Sequence, residues 1–414
     1  MHGQEEPRNE NPNNDMIILK SLFRADCFTM VMLIISFGPI AFHHLQSTDL
    51  LFPLLTSIST CAVVTFLWQW FIFFNPSKAI GIAFSWRKIL TLVVWVFQGI
   101  FEPGVLANTI VPPITPGQIR YAKRILTASM ANPNLIPISN INSILIPSMV
   151  LGLLSSILFV SINILLIDAD RFSTFVRVNL LFANLLHVFL IMQVISNIIV
   201  VTITRIKYMN HTRRREAMDP LPQLRNTLRN FRGNIFFGSA AVPVLELIHV
   251  FGRTLSLLTR VIDFGFERAP EYINRFEGLA REMTMEWNYW GFVHVGAYNM
   301  EIGRATAGTM EMFSQTFGLA RLIGSDLTGC FCFVCGVGGG AICSLVGFAI
   351  MESYPMQLLL HNFFIGYLMS RIAMAWPHAC VIAYYVAYAE NPENFENDTT
   401  IPDRIEELRR LVDD

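Results

Sequence analysis

The chain has 414 residues, of which 53% are apolar and only 15% charged, and its formal net charge is −1. A soluble protein of this length carries roughly a quarter of its residues charged, so the composition excludes an ordinary soluble enzyme. No basic domain is present to bind nucleic acid.

The first residues, MHGQEEPRNENPNND, are polar and acidic. A signal peptide starts basic and turns apolar, so residues 1–26 are expected as a disordered tail. Eight apolar blocks follow, at 27–44, 50–74, 89–113, 143–167, 178–203, 234–262, 328–353 and 357–390. About 20 apolar residues cross the roughly 30 Å hydrocarbon core. The expectation is therefore an all-α, polytopic integral membrane protein with about 8–10 transmembrane helices. Block 89–113 is the weakest, because it holds Glu102-Pro103-Gly104 and ends in Pro112-Pro113.

Residues 204–233 carry eight Lys/Arg against two acids, and Pro220 and Pro222 break any long helix. By the positive-inside rule this basic linker is cytoplasmic. It divides the chain into an N-terminal transmembrane region, 27–203, and a C-terminal one, 234–390, followed by a tail, 391–414. A cytoplasmic N-terminus requires an even number of crossings before the linker, yet five blocks precede it. If 89–113 dips in without crossing, residues 75–142 all stay inside, with Lys78, Arg120, Lys123 and Arg124 among them. The alternative is an external N-terminus. After the linker, either block 357–390 is two crossings broken at Pro377, or the aromatic run at 287–303 supplies a short or re-entrant one. In the tail, Ile405, Leu408 and Leu411 space an amphipathic helix for the protein or membrane surface.

From residue 176 onward six ordered motifs carry a resemblance. They are Asn184-Leu-Leu-His187-Val188, Leu221 to Arg232, Gly233 to Ser239, NYWGFVHVGAY at 288–298, Asp326-Leu-Thr-Gly329 and Tyr388 to Glu393. The series resembles the choline transporter-like family, most closely its shorter plant and fungal branch. The run at 288–298 is similar to that family's N-x-W-A-F-V-Y-V-G-L-Y. The sequence departs from the pattern in holding Glu246 and His249 where Gln and Arg are common, Asn299 where Gly follows the Tyr, and Ala305-Thr306 in place of A-G. No motif is recognised before about residue 140, so a shortened or diverged member is implied. The resemblance implies transport of choline, ethanolamine or a related small organic cation across the plasma membrane or internal membranes. It implies alternating access, proton exchange and no bound cofactor.

The residues themselves offer candidates for substrate binding. Glu246, His249 and Arg253 share one helical face, and an ionisable group inside a span is a functional hypothesis by default. The carboxylate reads either as a partner for a quaternary ammonium or as one half of a compensated buried pair. Asn184 and His187 share another face, as interhelical hydrogen bonds or, for His187, as a proton relay. A quaternary ammonium needs aromatic faces. Trp290 and Tyr298 are the ring candidates, with Trp68, Trp70, Trp95, Trp287, Tyr289, Tyr384 and Tyr385 behind them. Each also reads as an interface anchor. Gly336-Val-Gly338-Gly339-Gly340 lacks the Lys-Ser/Thr of a phosphate loop and reads as helix packing or a hinge. Asp326 reads as a helix cap. Cys330, Cys332 and Cys335 lack a fourth ligand for a metal site and read as packing. No catalytic residue is expected. Two other classes stay open: a non-transporting trafficking or scaffold protein, and a lipid-modifying membrane enzyme using Glu246 and His249.

Overall fold

The computed structural model describes residues 51–85, 115–131, 138–167, 173–213, 218–259, 271–276, 278–279, 288–350, 356–395 and 398–413, with Ser21 and Arg24. The N-terminal tail, apart from Ser21 and Arg24, and blocks 27–44 and 89–113, including Glu102, lie outside the described residues, as do Trp95 and Trp287.

Twelve α-helices carry the argument: α1 Leu51–Phe74, α2 Pro116–Met130, α3 Ile138–Ile167, α4 Thr174–Arg213, α5 Pro220–Asn230, α6 Arg232–Thr259, α7 Phe292–Tyr298, α8 Ile302–Gln315, α9 Leu319–Gly324, α10 Thr328–Ile350, α11 Met356–Glu390 and α12 Thr400–Asp413. A further helical stretch runs over 76–85. The described residues contain no strand. Five helical segments are long and apolar enough to cross a membrane: Leu55–Phe74, Ile141–Asn163, Thr174–Thr212, Leu319–Ile350 and Leu359–Glu390. The protein is an all-α, polytopic membrane protein. In lipid each backbone N–H and C=O must bond within its own helix, which is why apolar runs of this length become helices.

Helix α11 is the central post. Its most apolar stretch is 89% buried, against 33% for the spans at Leu55–Phe74 and Leu319–Ile350. It is one continuous helix through Pro377, so the reading of block 357–390 as two crossings is corrected. Proline removes one helical N–H, but packed neighbours make that tolerable inside a membrane bundle.

The glycine run explains how α10 lies against this post. A Cβ added at Gly340 would sit 2.7 Å from the Phe363 carbonyl oxygen, and one at Gly366 would sit 2.6 Å from the Gly339 oxygen. Small residues let the backbones approach this closely, so the packing reading of the run holds. Gly340 meets Phe363, Gly336 meets Tyr367, and Cys332 reaches the Met374 carbonyl. Partner numbers fall as α11 numbers rise, so the pair is antiparallel. Helix α1 runs parallel to α11: Asn362 donates to Ser57 at 3.1 Å, Thr65 meets Ser370 at 3.2 Å, and Phe73 stacks on Trp376.

Length then dictates an end cap. At 35 and 40 residues, α11 and α4 are about 52 and 60 Å long, well beyond the roughly 30 Å of hydrocarbon. Residues 379–390 project past the start of α10, and the polar helices gather there. Tyr121 of α2 meets Tyr385 at 2.9 Å, and Lys207 of α4 reaches the Ala131 carbonyl at 3.4 Å. Asn394 of the tail donates to the His211 carbonyl at 3.2 Å, and Asn234 of α6 to the Met300 carbonyl at 3.1 Å. Lys123 lies beside Gly81. The described parts of 75–142, the basic segment and the tail therefore share one end of the bundle.

One boundary changes. Helix α4 continues into the basic segment as far as Arg213, with Tyr208 fully buried, and α5 starts on Pro220 behind an Asp219 cap. Proline suits the first position of a helix, where its missing N–H has no partner to lose. The N-terminal and C-terminal transmembrane regions pack together, with α1, α3 and α4 all on α11. The tail helix α12 lies on protein, with Ile401 buried and Ile405 against Gly318.

Candidate functional site

The aromatic run folds as a capped turn entering a short helix. Asn288 accepts from the Trp290 N–H at 2.9 Å, a single 3-10 turn covers Tyr289–Gly291, and α7 follows. Seven residues span about 10 Å, so α7 does not cross the membrane. It is buried in the gathered end. Asn299 closes it in the left-handed conformation, φ 58°, which Asn tolerates better than other side chains.

Trp290 is 7% exposed and packs on Tyr289, Phe313 and Tyr385, with ring centroids 5.3, 5.3 and 5.8 Å away. It is a core residue and not an interface anchor. Tyr298 is 42% exposed and donates to Glu390 Oε1 at 2.9 Å. Its single hydrogen is thereby used, so the 2.7 Å bond with Tyr208 has Tyr208 as donor. His294 Nδ1 lies 2.8 Å from Thr309 Oγ1, whose own hydrogen goes to the Ala305 carbonyl. These contacts tie α7 to α4, α8 and α11.

A second polar nest sits beside it. Asp326 caps α10 through the Thr328 N–H and hydroxyl, both at 3.1 Å, as its position in the sequence suggests. Arg404, buried, lies 5.7 Å over the Tyr121 ring and pairs with Glu407 at 2.7 Å. Burial pushes the Tyr121 hydroxyl up, out of the titrating range. Asp398 is partly buried, which pushes its carboxyl up. Hydrogen bonds from Thr400 and Tyr384 outweigh that and bring it below the usual carboxylate range.

Asn184 and His187 do not join this cluster. Asn184 donates to the Phe159 carbonyl at 3.1 Å and to Asn163 Oδ1 at 2.8 Å, the interhelical bond expected of it. His187 is half-buried one turn on. They stand about 36 and 32 Å along α4 from Tyr208, so they and Tyr298 cannot contact one small ligand. Glu246, His249 and Arg253 lie on α6, and their side chains are outside the described residues. Among the described residues no three His, Cys, Asp or Glu side chains group as a metal site.

Between α1, α3 and α11 the structure leaves a small cavity of about 10 Å³, room for about one water. Its walls are Phe66, Gln69, Trp70, Phe73, Ile141, Asn142 and Trp376. Gln69 is 5% exposed, yet neither amide atom has a hydrogen-bond partner; the Trp376 Nε1–H, in a side chain 2% exposed, is also unpaired. A buried amide without partners costs of order 1–3 kcal/mol, so this placement is notable. No charged residue lines the cavity. Arg371, five residues before Trp376, faces about 140° away, toward Gly336 on α10.

The chain matches no protein-family model and no curated protein.

Of the lining residues, sequence reasoning proposed only Trp70. Gln69 carried a usable signal, as the sole amide in an apolar run and flanked by two tryptophans. Trp376 carried none, because nothing local says which ring meets α1. The cavity also lies away from the midplane expected of a carrier site: Cys332, four residues into α10, is already level with Met374.

Proposed function

We propose that the protein is a membrane carrier for choline or a related small organic cation, working by alternating access. The observation that carries this reading is the motif series from residue 176 onward, set in an all-α bundle with five segments long and apolar enough to cross a membrane.

On this reading the gathered end is cytoplasmic, since Lys78, Arg120, Lys123, Arg124 and the basic segment 204–233 collect there. The plasma membrane is the proposed location. The test is radiolabelled choline uptake into proteoliposomes. Uptake by the wild type no greater than in empty vesicles would sink the proposal.

A further inference from the structure

The basic segment holds a surface that the bundle does not use. Helix α5 packs on α3 and α4 through one stripe: Pro220 and Thr227 are buried, and Thr227 meets Thr202 of α4 at 3.1 Å. The opposite face carries Leu221, Arg225, Leu228 and Arg229, spaced i, i+4, i+7 and i+8, and all four are exposed. Leu221 and Leu228 are 51% and 44% exposed. At the end of α5, Arg205 lies over the Phe231 ring at 5.8 Å, and Arg232 follows; the Nε of each is buried without a hydrogen-bond partner. Among the described residues, the ion pairs near this end use other arginines: Arg124 with Asp403, Arg404 with Glu407 and Arg410 with Glu406. No carboxylate pairs with Arg205, Arg225, Arg229 or Arg232.

The level of α5 decides what meets this face. Helices α3 and α4 run antiparallel, with Asn184 bonded to Phe159 and Asn163. Thr202 lies about 27 Å further along α4, and Ile141 about 30 Å back along α3, so the two come level. Ile141 and Trp70 line the same small cavity, so Trp70, 52% exposed, and Phe74, one turn beyond, mark this level on α1. Exposed aromatic rings of this kind gather at the membrane–water interface. Helix α5 therefore presents leucine and arginine side by side where the lipid headgroups lie.

We infer that α5 is a contact for anionic phospholipid in the surrounding bilayer. Leu221 and Leu228 meet the edge of the acyl region, and the arginines hold the headgroup phosphate, whose oxygens match the guanidinium fork. A zwitterionic headgroup offers the same phosphate but brings its own cation, so it gains less from arginines that have no acid beside them. A free phosphate has no acyl chain to cover the leucines. The contact requires nothing of the cation proposed as cargo.

The test titrates the full-length protein in dodecyl maltoside with dioctanoyl phosphatidylglycerol and, separately, with dioctanoyl phosphatidylcholine, and counts bound lipid by native mass spectrometry. An arginine near an anionic surface contributes about fivefold, so two give a preference for the anionic lipid of about 5- to 25-fold. Added salt should shrink it. Arg225→Gln with Arg229→Gln should bring the ratio near one. Leu221→Gln with Leu228→Gln should weaken both lipids alike and keep the ratio. All four side chains are exposed, so both variants should fold. As a control, Arg120→Gln with Arg304→Gln removes two exposed arginines elsewhere and should leave the ratio unchanged. A wild-type ratio near one overturns the inference. So does an equal loss in the control, which would reduce the effect to net charge. Inorganic phosphate that displaces the anionic lipid better than chloride at equal ionic strength would assign the arginines to a free anion, and overturns the lipid contact as well.

Discussion

Replacing Gly340 by alanine tests the close α10–α11 seam on which the rest of the bundle is hung. The added Cβ would lie 2.7 Å from the Phe363 carbonyl oxygen and 2.9 Å from its ring. The carbonyl is backbone and cannot swing aside. Ordinary van der Waals contact starts at 3.4 Å, so the helices must part by 3.4 − 2.7 = 0.7 Å at that level. Overpacking of this kind costs about 1–3 kcal/mol. Alanine recovers up to about 1 kcal/mol through helix propensity. Gly338, two residues earlier, meets nothing within 4 Å, so Gly338→Ala carries only the favourable part. The two variants should therefore differ by about 1–3 kcal/mol, with Gly340→Ala the less stable. Denaturant titration of the purified protein in mixed micelles, followed by tryptophan fluorescence, measures the difference. Equal midpoints for the two variants would refute the seam and the central position of α11 with it.

Three further outcomes follow from the same structure. Trp290→Leu should lower stability by about 2–4 kcal/mol, because three ring contacts are lost in a packed core, while choline affinity in the surviving protein is unchanged; thermal unfolding and ligand titration separate the two. Asn184→Leu should cost about 1 kcal/mol by leaving the buried Asn163 amide without its partner, and should not alter uptake kinetics beyond the loss of folded protein. For Asp398 the folded carboxyl titrates below its unfolded value of 3.8. Its contribution is fully present above about pH 4 and is lost as pH falls through the folded pKa, so the wild-type melting temperature should fall more steeply below pH 4 than that of Asp398→Asn.

Much of the architecture was legible because lipid allows so few solutions. A long apolar run in a membrane has to be a helix, and the described residues of blocks 50–74, 143–167, 178–203, 328–353 and 357–390 all are helical. The glycine run was legible in part: Gly336, Gly339 and Gly340 lie against α11, whereas Gly338 meets nothing within 4 Å. The gathered end was harder. Its helices are short or polar, and α2, with its Thr115–Gln118 capping box, lacks the apolar length that marks a span. The overshoot of α4 and α11 beyond the bilayer, which decides where those helices dock, appears only once the two are known to be unbroken. The cavity was not legible at all. Its walls come from positions 66–73, 141–142 and 376, and periodicity within one helix says nothing about which faces of three distant helices meet.

Two residues far apart in the sequence, Gly291 in the aromatic run and Thr306 on α8, meet in three dimensions. A Cβ on Gly291 would sit 2.3 Å from Thr306 Oγ1, and Thr306 is fully buried. Thr306 also donates to the Asn288 carbonyl at 3.3 Å, bracing the cap at the start of the run. The methyl missing from the turn makes room for the larger side chain on α8, whose hydroxyl then holds that turn. A densely packed interior couples the two positions, since any side chain at 291 would displace Thr306. Asn299 ends α7 in the left-handed backbone, which Asn adopts more readily than most residues with a side chain.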